Sequence, residues 1–403
     1  MANSNLSAAK SAKNDEFYTQ FPDIQKEIGA YLMYDPDTFR GKVVYCNCDD
    51  PYESNFFKYF VLNFKRLGLK KLITTSYKPS PVANTQLGLF GDDITITSKK
   101  GRDKITANKF IITDVGDYDN DGQFNLEDVA RQLKDNKNNE WTPLAGDGDF
   151  RSQECIELLK ESDIVVTNPP FSLFREYVAQ LVEHNKKFCI IGSMNAITYK
   201  EIFPLIKDNK MWLGQSISSG DREFQVPDSY PLHAAGYRID DEGRKYIRVK
   251  GVRWFTNLDH GRRHQPLKLM TMRDNLKYNK KLAGKTEYDR YDNYDAIEVP
   301  FTNAIPDDYD GVMGVPISFL DKYSPEQFEI LGISKTWFNF ANKIYPSQIQ
   351  VSKTGIESTV SKLNDGVTLE LKQIPDGKTY YKVGTKNYEQ LYARIFIKHR
   401  KST

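Results

Sequence analysis

The sequence predicts an α/β protein whose core is a doubly wound, mainly parallel sheet. Short runs of β-branched and aromatic residues alternate with segments that have apolar residues at helical spacing. Strand–helix–strand units at this spacing need crossover connections, and such connections make neighbouring strands parallel. The predicted elements are, in order, strand 42–48, helix 55–68, strand 70–77, helix 152–162, strand 163–170, helix 173–185 and strand 186–194.

These elements begin or end at recognisable residues. The strand 42–48 ends at Asp49-Asp50-Pro51, a turn signal, and the helix 55–68 ends at Gly68. The strand 163–170 ends in two prolines, which cannot donate hydrogen bonds to a neighbouring strand. In such sheets ligands bind outside the carboxyl ends of the strands. The residues expected at that edge are 47–50, 149–150 and 168–171.

Composition divides the chain into four regions. Residues 1–14 are small and polar, and we expect a frayed tail. Residues 15–77 and 146–260 carry the predicted sheet. Residues 78–145 interrupt it, and an insertion of that length is expected to have a small structure of its own. Residues 261–403 form the C-terminal region, of which residues 291–403 are rich in Tyr and Phe and are expected to fold as an α+β tail.

The charges of the chain are segregated. The 403 residues suffice for two to three domains, and 39% hydrophobic residues exclude wholesale disorder. The net charge of +2 does not by itself indicate a nucleic-acid partner. However, residues 244–290 carry 14 Lys and Arg and 4 acids, whereas residues 113–149 carry 10 acids and 3 bases. A local basic stretch is typical of a surface that binds polyanions, with a solvated face as the alternative.

The four cysteines, Cys46, Cys48, Cys155 and Cys189, are too few for a disulfide framework in a chain of this size. Cys46 and Cys48 also lack the usual spacing of a zinc site. We therefore expect reduced, buried thiols and a cytoplasmic protein. The polar N-terminus has no apolar segment of a signal peptide, and no window is apolar enough for a membrane span, so no membrane partner is expected.

The motif Asn168-Pro169-Pro170-Phe171 carries chemistry because it directly follows an apolar strand. The exocyclic amine of adenine is a weak nucleophile, since its lone pair is delocalised into the ring. The side-chain oxygen of Asn168 and the backbone carbonyl of Pro169 could accept hydrogen bonds from both N–H groups, and Phe171 could stack on the base. The alternative is a rigid strand-to-loop turn without catalysis.

Eight segments of the chain carry a family resemblance. They are DEFYTQ (15–20), KVVYCNCDDPYESNFFKYF (42–60), GLKKLI (68–73), GDGDFRS (146–152), SDIVVTNPPFSLFREY (162–177), ITYKE (197–201), WFTNLDH (254–260) and YDGVMGVPISFLDKYSPEQFE (309–329). Through them the chain resembles the EcoRI-type adenine-specific DNA methyltransferases. The resemblance implies a class I, Rossmann-like methyltransferase fold, S-adenosylmethionine as methyl donor, and N6 of an adenine flipped out of duplex DNA as acceptor.

The resemblance also implies the residues of the site. The catalytic residues are Asn168, Pro169, Pro170 and Phe171. The cofactor-binding residues are Phe17, Tyr18, Thr19, Asn47, Asp49, Asp50, Pro51, Asp149 and Phe150. The chain departs from the family pattern after strand 70–77, which ends at Ser76-Tyr77 without the usual acid for the cofactor ribose, and it lacks the usual Gly-rich turn after strand 42–48. Asp49 or Asp50 is therefore expected to contact the ribose.

The segment around Trp254 is expected to contact DNA. Trp254-Phe255-Thr256 resembles the late-strand motif that helps hold the extruded base, with core packing as the alternative. The residues expected to contact the base or the DNA are Trp254, Phe255, Arg262, Arg263 and His264. Residues 261–403 are then a DNA-binding and target-recognition region. We expect a monomer that acts on double-stranded DNA. If a neighbouring gene encodes a cognate restriction endonuclease, we expect that protein not to form a complex with this chain.

An acidic loop lies within the predicted insertion. Asp117, Asp119, Asp121, Asn125 and Asp128, with a glycine at 122, fit the spacing of an EF-hand loop, although its twelfth position is Asp rather than Glu. Oxygen ligands favour a structural Ca²⁺, and an acidic loop without an ion is the alternative. The Ca²⁺ ligands would be Asp117, Asp119, Asp121 and Asp128.

Two other functions are compatible with the sequence. The same amino-methylation chemistry could act on RNA or on protein glutamine, because NPPF motifs occur in both classes of enzyme. A DNA-binding protein without activity is the third candidate, and the intact NPPF motif argues against it.

Overall fold

A computed structural model describes residues 19–48, 54–77, 107–134, 138–218, 221–226 and 236–400. The chain divides into two compact units. Unit 1 comprises Met1–Ala196 with Met211–Gly261, and unit 2 comprises Ile197–Lys210 with Arg262–Thr403.

The described residues of unit 1 form strands and helices that alternate along most of its length. The strands are β1 (Val43–Cys46), β2 (Lys71–Thr75), β3 (Asn108–Ile112), β4 (Asn139–Pro143), β5 (Ile164–Thr167), β6 (Lys187–Ser193), β7 (Trp212–Leu213), β8 (Asp221–Val226), β9 (Tyr237–Ile239), β10 (Lys245–Lys250) and β11 (Val252–Thr256). The helices are α1 (Phe21–Tyr34), α2 (Asn55–Leu62), α3 (Phe64–Leu67), α4 (Leu126–Lys134), α5 (Gln153–Glu161) and α6 (Phe174–Glu183).

The central sheet has the strand order β4-β3-β2-β1-β5-β6-β11-β7. The four central strands, β2, β1, β5 and β6, pair in parallel. Antiparallel pairs flank them at both edges. The prediction of a mixed α/β fold with a large central sheet is therefore confirmed, and the parallel pairing is found in the core of the sheet, between β2 and β6.

The predicted insertion belongs in part to this sheet, which corrects the expectation of a small structure of its own. β3 pairs antiparallel with β2, and β4 pairs with β3, so both strands extend the sheet beyond its parallel core. The Ser76 hydroxyl accepts a hydrogen bond from the backbone N–H of Asn108 at 2.8 Å, just where β2 and β3 meet. The other described element of this region, α4, packs against β4.

Helices cover both faces of the sheet. Val44 and Val166 belong to one buried cluster together with Ile24 of α1 and Phe57 of α2. The alternate strand positions point the other way, because successive strand side chains face opposite sides. On that second face Phe255 makes an edge-on contact with Phe174 of α6, at 5.0 Å between ring centroids.

Local sequence explains the helix boundaries that position the site. The Ser54 side chain accepts from the backbone N–H of Phe57 at 3.0 Å and so begins α2. The predicted helix 55–68 is divided at Asn63 into α2 and α3. Gly68 has a φ of +63° and ends α3, as predicted. Ser152 caps α5 by accepting from the Cys155 N–H at 3.3 Å.

A smaller sheet completes unit 1. Its strand order is β8-β10-β9, with antiparallel pairing throughout. Phe224, Ile247 and Val249 point inward and join the buried cluster of the central sheet. The opposite face carries charged residues.

Unit 2 is built on two sheets. Its helices are α7 (Phe203–Lys207) and α8 (Met272–Tyr278), and its strands are β12 (Ile297–Glu298), β13 (Met313–Pro316), β14 (Phe328–Ile333), β15 (Gln348–Val351), β16 (Glu357–Val360), β17 (Val367–Glu370), β18 (Tyr380–Val383), β19 (Lys386–Leu391) and β20 (Arg394–His399). The sheet orders are β12-β13-β20-β14 and β16-β15-β18-β19-β17. A buried bidentate ion pair between Arg394 and Glu298 links β20 to β12, with N–O distances of 2.8 and 3.0 Å.

The cysteines form no disulfide among the described residues, which contain all four. Cys46, Cys155 and Cys189 are buried as predicted, whereas Cys48 is half-buried. In the part of the chain that the structure describes, every helix is too short or too polar to cross a bilayer.

Candidate active site

The NPPF motif lies at the carboxyl end of β5, where the chain leaves the parallel core of the sheet. Asn168 is buried, with 6% of its surface exposed. The Pro170 carbonyl accepts from the Leu173 N–H at 3.0 Å and so starts a short 3-10 helix, Phe171–Leu173. No backbone donor among the described residues reaches the Pro169 carbonyl. Of the two proline carbonyls, the turn uses one and leaves the other available.

Asn47 at the end of β1 is held beside this motif. The Tyr177 hydroxyl donates to Asn47 Oδ1, and the Thr167 hydroxyl donates to the Asn47 carbonyl. Both donors are fully buried, and burial raises the pKa of Tyr177 well above its ordinary value, so its hydroxyl stays protonated. Cys48 has a φ of +57°, which turns the chain sharply after the strand. The ends of β1 and β5 are therefore joined by side chains as well as by strand pairing.

The segment Gly148–Arg151 forms another wall of the same edge. Gly148 has a φ of +79°, and a Cβ there would lie 1.9 Å from the Ser76 carbonyl oxygen, so only glycine fits. Phe150 is buried edge-on against Tyr177 at 5.0 Å. The Asp149 carboxylate accepts two hydrogen bonds from the Arg151 guanidinium, and these hold its pKa below the ordinary value.

Thr19 is the one described residue of the predicted cofactor segment Phe17–Thr19. It is buried, and its carbonyl accepts from the Asn55 side chain at 2.7 Å. Its hydroxyl has no hydrogen-bond partner among the residues described. A buried hydroxyl in this state fits a polar ligand group, such as the amino-acid end of S-adenosylmethionine. The predicted cofactor residues Phe17, Tyr18, Asp49, Asp50 and Pro51 lie outside the described residues.

The structure explains the missing ribose acid after β2. Ser76 occupies that position and is buried, and its hydroxyl is used by the backbone of β3. This serine therefore serves the antiparallel edge of the sheet.

The aromatic pair expected to hold the extruded base lies in the core. Trp254 and Phe255 are both 0% exposed, on adjacent positions of β11. Trp254 makes an edge-on contact with Phe56 at 6.1 Å, and Phe255 contacts Phe174. Their placement favours the core-packing interpretation over contact with a base.

The three expected DNA-contacting residues of unit 2 differ in exposure. Arg263 is only 5% exposed, and its guanidinium donates to the Asn209 side chain. His264 pairs with Glu326 at 2.8 Å. Arg262 is half-buried. Arg263 thus has a structural partner, which weakens the case for its contact with DNA.

The acidic loop brings three of its four predicted ligands together. Single carboxylate oxygens of Asp117, Asp119 and Asp128 lie within 4.8 Å of one another, whereas Asp121 is not part of that group. Asp128 accepts from the N–H groups of Tyr118 at 2.6 Å and Asn125 at 2.8 Å. Burial would raise the pKa of Asp128, but these backbone hydrogen bonds outweigh it and lower the pKa. The loop is thus stabilised by its own amides.

Sequence reasoning missed two residues that shape the site. Tyr177 and Asn55 position Asn47 and Thr19, respectively. The available signal was their spacing: Tyr177 follows the motif by two helical turns, and Asn55 directly follows the cap of α2. Neither signal distinguishes a positioning residue from an ordinary core residue.

Comparison with known proteins identifies the family. The model of the family described as "Adenine-specific methyltransferase EcoRI" matches residues 5–400. The type II methyltransferase M.EcoRI of Escherichia coli is 46% identical over 330 residues, which cover 82% of this chain and 89% of the relative. M.MpnI of Mycoplasma pneumoniae is 38% identical over 325 residues, covering 80% of this chain and 83% of that protein.

A third relative, M.MgeORF184P of Mycoplasma genitalium, is 35% identical over 325 residues, covering 80% of this chain and 84% of its own length. No solved structure matches the chain. The family match answers the open question of substrate in favour of adenine in DNA over RNA or protein glutamine. The chain belongs to the EcoRI-type family of adenine-specific DNA methyltransferases, enzymes that take their methyl group from S-adenosylmethionine.

Proposed function

We propose that Asn168, Pro169, Pro170 and Phe171 form the catalytic site of this methyltransferase. The proposal rests on the different hydrogen bonding of the Pro169 and Pro170 carbonyls. The Pro170 oxygen closes the turn, while the Pro169 oxygen has no backbone donor among the described residues. A carbonyl left available beside a buried asparagine supplies the second of two acceptors that an exocyclic amine needs.

The chemistry follows from these two acceptors. Hydrogen bonds from both N–H groups of adenine to Asn168 and to the Pro169 carbonyl localise the nitrogen lone pair and orient it for attack. Proline has no N–H to compete, and its fixed φ holds the carbonyl in place. The Phe171 ring packs on the face of the base. S-adenosylmethionine supplies an electrophilic methyl group on a positively charged sulfur. The amine loses its proton after the N–C bond forms, so no strong base is required.

Four described residues are proposed to hold the cofactor. Thr19 offers a buried hydroxyl, and Asn47, Asp149 and Phe150 lie on elements that meet at the same edge of the sheet. Phe17, Tyr18, Asp49, Asp50 and Pro51 complete the proposed set, with Asp49 or Asp50 for the ribose hydroxyls.

Measuring methyl transfer by the Asn168→Ala variant tests the assignment of the catalytic site. With tritiated cofactor and duplex DNA, we expect the variant to lose transfer while it retains DNA binding, because the amine loses one acceptor and the DNA-binding surface is unaltered. Asn303→Ala is the matched control, since Asn303 is exposed in unit 2. Normal transfer by Asn168→Ala would show that the motif is only a turn.

We propose that the enzyme acts on double-stranded DNA as a monomer, alongside a restriction endonuclease that is a separate protein. A structural Ca²⁺ in the acidic loop is supported by the proximity of Asp117, Asp119 and Asp128 alone. The methyl transfer itself needs no metal.

A further inference from the structure

The positive charges of residues 244–290 are not equivalent in the structure. Arg253 and Arg263 are buried, and Arg244 pairs with Asp240 and Glu242. These cations are neutralised or enclosed. The exposed charge of the segment therefore comes from its other cations.

The longest run of exposed cations in the segment lies between Lys268 and Lys281 in unit 2, and Arg248 and Lys250 are exposed in unit 1. This stretch holds five cations and one acid. All five cations are exposed, and among the described residues none of them forms an ion pair. They are Lys268, Arg273, Lys277, Lys280 and Lys281. By contrast, other surface lysines of the same unit form ion pairs with acidic side chains. The pairs are Lys335–Asp365, Lys343–Asp292, Lys382–Glu357 and Lys386–Glu370.

Helix α8 carries two of these cations, Arg273 and Lys277, and Lys280 and Lys281 lie in the 3-10 turn that follows it. The Thr271 side chain caps the helix by accepting from the Asp274 N–H at 3.1 Å. Asn275 is fully buried and donates to the Met270 carbonyl, which also accepts from the Asp307 N–H at 3.0 Å. Buried Asn275 thus marks the inner face of the helix.

The outer face has the chemistry of a polyanion site. Arg273 and Lys277 are one helical turn apart and line one shallow cavity, wide open to solvent, of about 590 Å³. Tyr278 is 62% exposed, and the Lys277 ammonium lies 4.9 Å from its ring centroid. The acid in the same cavity, Asp308, accepts from the Met272 N–H.

We propose that this surface, formed by Arg273, Lys277, Tyr278 and Lys280, binds the phosphate backbone of the DNA substrate. Unpaired cations cost electrostatic free energy when they are held close together, and phosphates relieve that repulsion while releasing counterions. The exposed tyrosine adds a ring and a hydroxyl, which contact sugar and phosphate. The inference rests on the DNA substrate of the family and is independent of the catalytic assignment.

Salt titration of DNA binding tests the proposal. The triple variant Arg273→Gln/Lys277→Gln/Lys280→Gln is compared with the unaltered enzyme on a short duplex of arbitrary sequence. The slope of log K against log[salt] becomes shallower by about 0.9 for each phosphate that the protein no longer neutralises. We expect a slope shallower by about 2 to 3 in total, and an affinity at least about tenfold weaker at low salt.

A matched control removes the same amount of charge. Lys335→Gln/Lys382→Gln/Lys386→Gln changes three lysines of unit 2 that already have acidic partners. The control is expected to keep nearly the original slope. An unchanged slope in the Arg273/Lys277/Lys280 variant, or a change no larger than that of the control, overturns the proposal.

Lysine acetylation of the unaltered enzyme decides the question if the triple variant does not fold. Bound duplex is expected to protect Lys277 and Lys280 from acetylation, while Lys382 and Lys386 stay reactive. Equal reactivity of Lys277 and Lys280 with and without duplex overturns the proposal.

Discussion

Substitution of Tyr177 tests whether its hydroxyl positions Asn47 at the carboxyl ends of the strands, where the cofactor is proposed to bind. Tyr177→Phe removes the donor to Asn47 Oδ1 and keeps the edge-on ring contact with Phe150 at 5.0 Å. Both partners of the hydrogen bond are buried, so the substitution leaves the Asn47 oxygen without this donor in a place with 2% exposure. Losing one partner of a buried hydrogen bond costs about 1–3 kcal/mol.

That free energy divides between stability and cofactor binding. For a unit of this size, 1 kcal/mol corresponds to a shift in melting temperature of about 2–4 °C. If Asn47 contacts the cofactor, its looser position also weakens binding, and 1.4 kcal/mol corresponds to about tenfold in affinity. We expect a higher Kd for S-adenosylmethionine, measured by calorimetry, with a smaller change in the rate of single-turnover transfer.

Tyr45→Phe is the control for this experiment. The Tyr45 hydroxyl is also fully buried, and it shares a hydrogen bond with the Thr75 hydroxyl at 3.0 Å on the same sheet. Its removal is expected to lower the melting temperature by a comparable amount and to leave cofactor affinity nearly unchanged. Equal effects of the two variants on cofactor affinity would refute the role assigned to Tyr177.

Three further outcomes follow from the geometry. Asn55→Ala removes the donor to the Thr19 carbonyl, so the Kd for S-adenosylmethionine in calorimetry should rise by roughly two- to tenfold, and an unchanged Kd would contradict the role of Thr19. Gly148→Ala should lower the free energy of unfolding by more than about 1–2 kcal/mol in denaturant titration, because of its positive φ and its overlap with a carbonyl oxygen. Gly146→Ala, which meets open space, should change little, and equal effects would contradict this account. If the acidic loop binds Ca²⁺, millimolar Ca²⁺ should raise the melting temperature of the enzyme, and Asp128→Asn should abolish that rise. If Ca²⁺ does not raise the melting temperature of the unaltered enzyme, the loop is stabilised by its own backbone hydrogen bonds and binds no ion.

The parallel core of the fold was predictable because its signals are local. The strands before Asn47 and Asn168 are short apolar runs that end at turn residues, and each sits between helix-period segments. The edge strands β3 and β4 were not predicted as part of the sheet. Their partner in the parallel core, β2, is more than thirty residues away from β3 along the chain, and only the hydrogen-bonded register shows that they extend it.

The residues of the candidate site divide in the same way. The motif at Asn168 was found because proline has few roles after a buried strand. The roles of Trp254 and Phe255 could not be decided, since an aromatic residue in an apolar strand fits a core and a base pocket equally well, and helices packed on both faces place these two in the core. Charge counting located a basic segment but not its exposed part, because the partners of Arg263 and Arg244 are set by tertiary structure and turn geometry.

Sequencing that detects methylated adenine in the DNA of cells expressing this chain is the most direct test of the central claim. The account predicts N6-methyladenine at one recurring short sequence with the unaltered chain, and none with Asn168→Ala at equal expression. Methylation that persists in the Asn168→Ala cells would contradict the assignment of the catalytic site. Its absence with the unaltered chain would contradict the proposed activity as a whole.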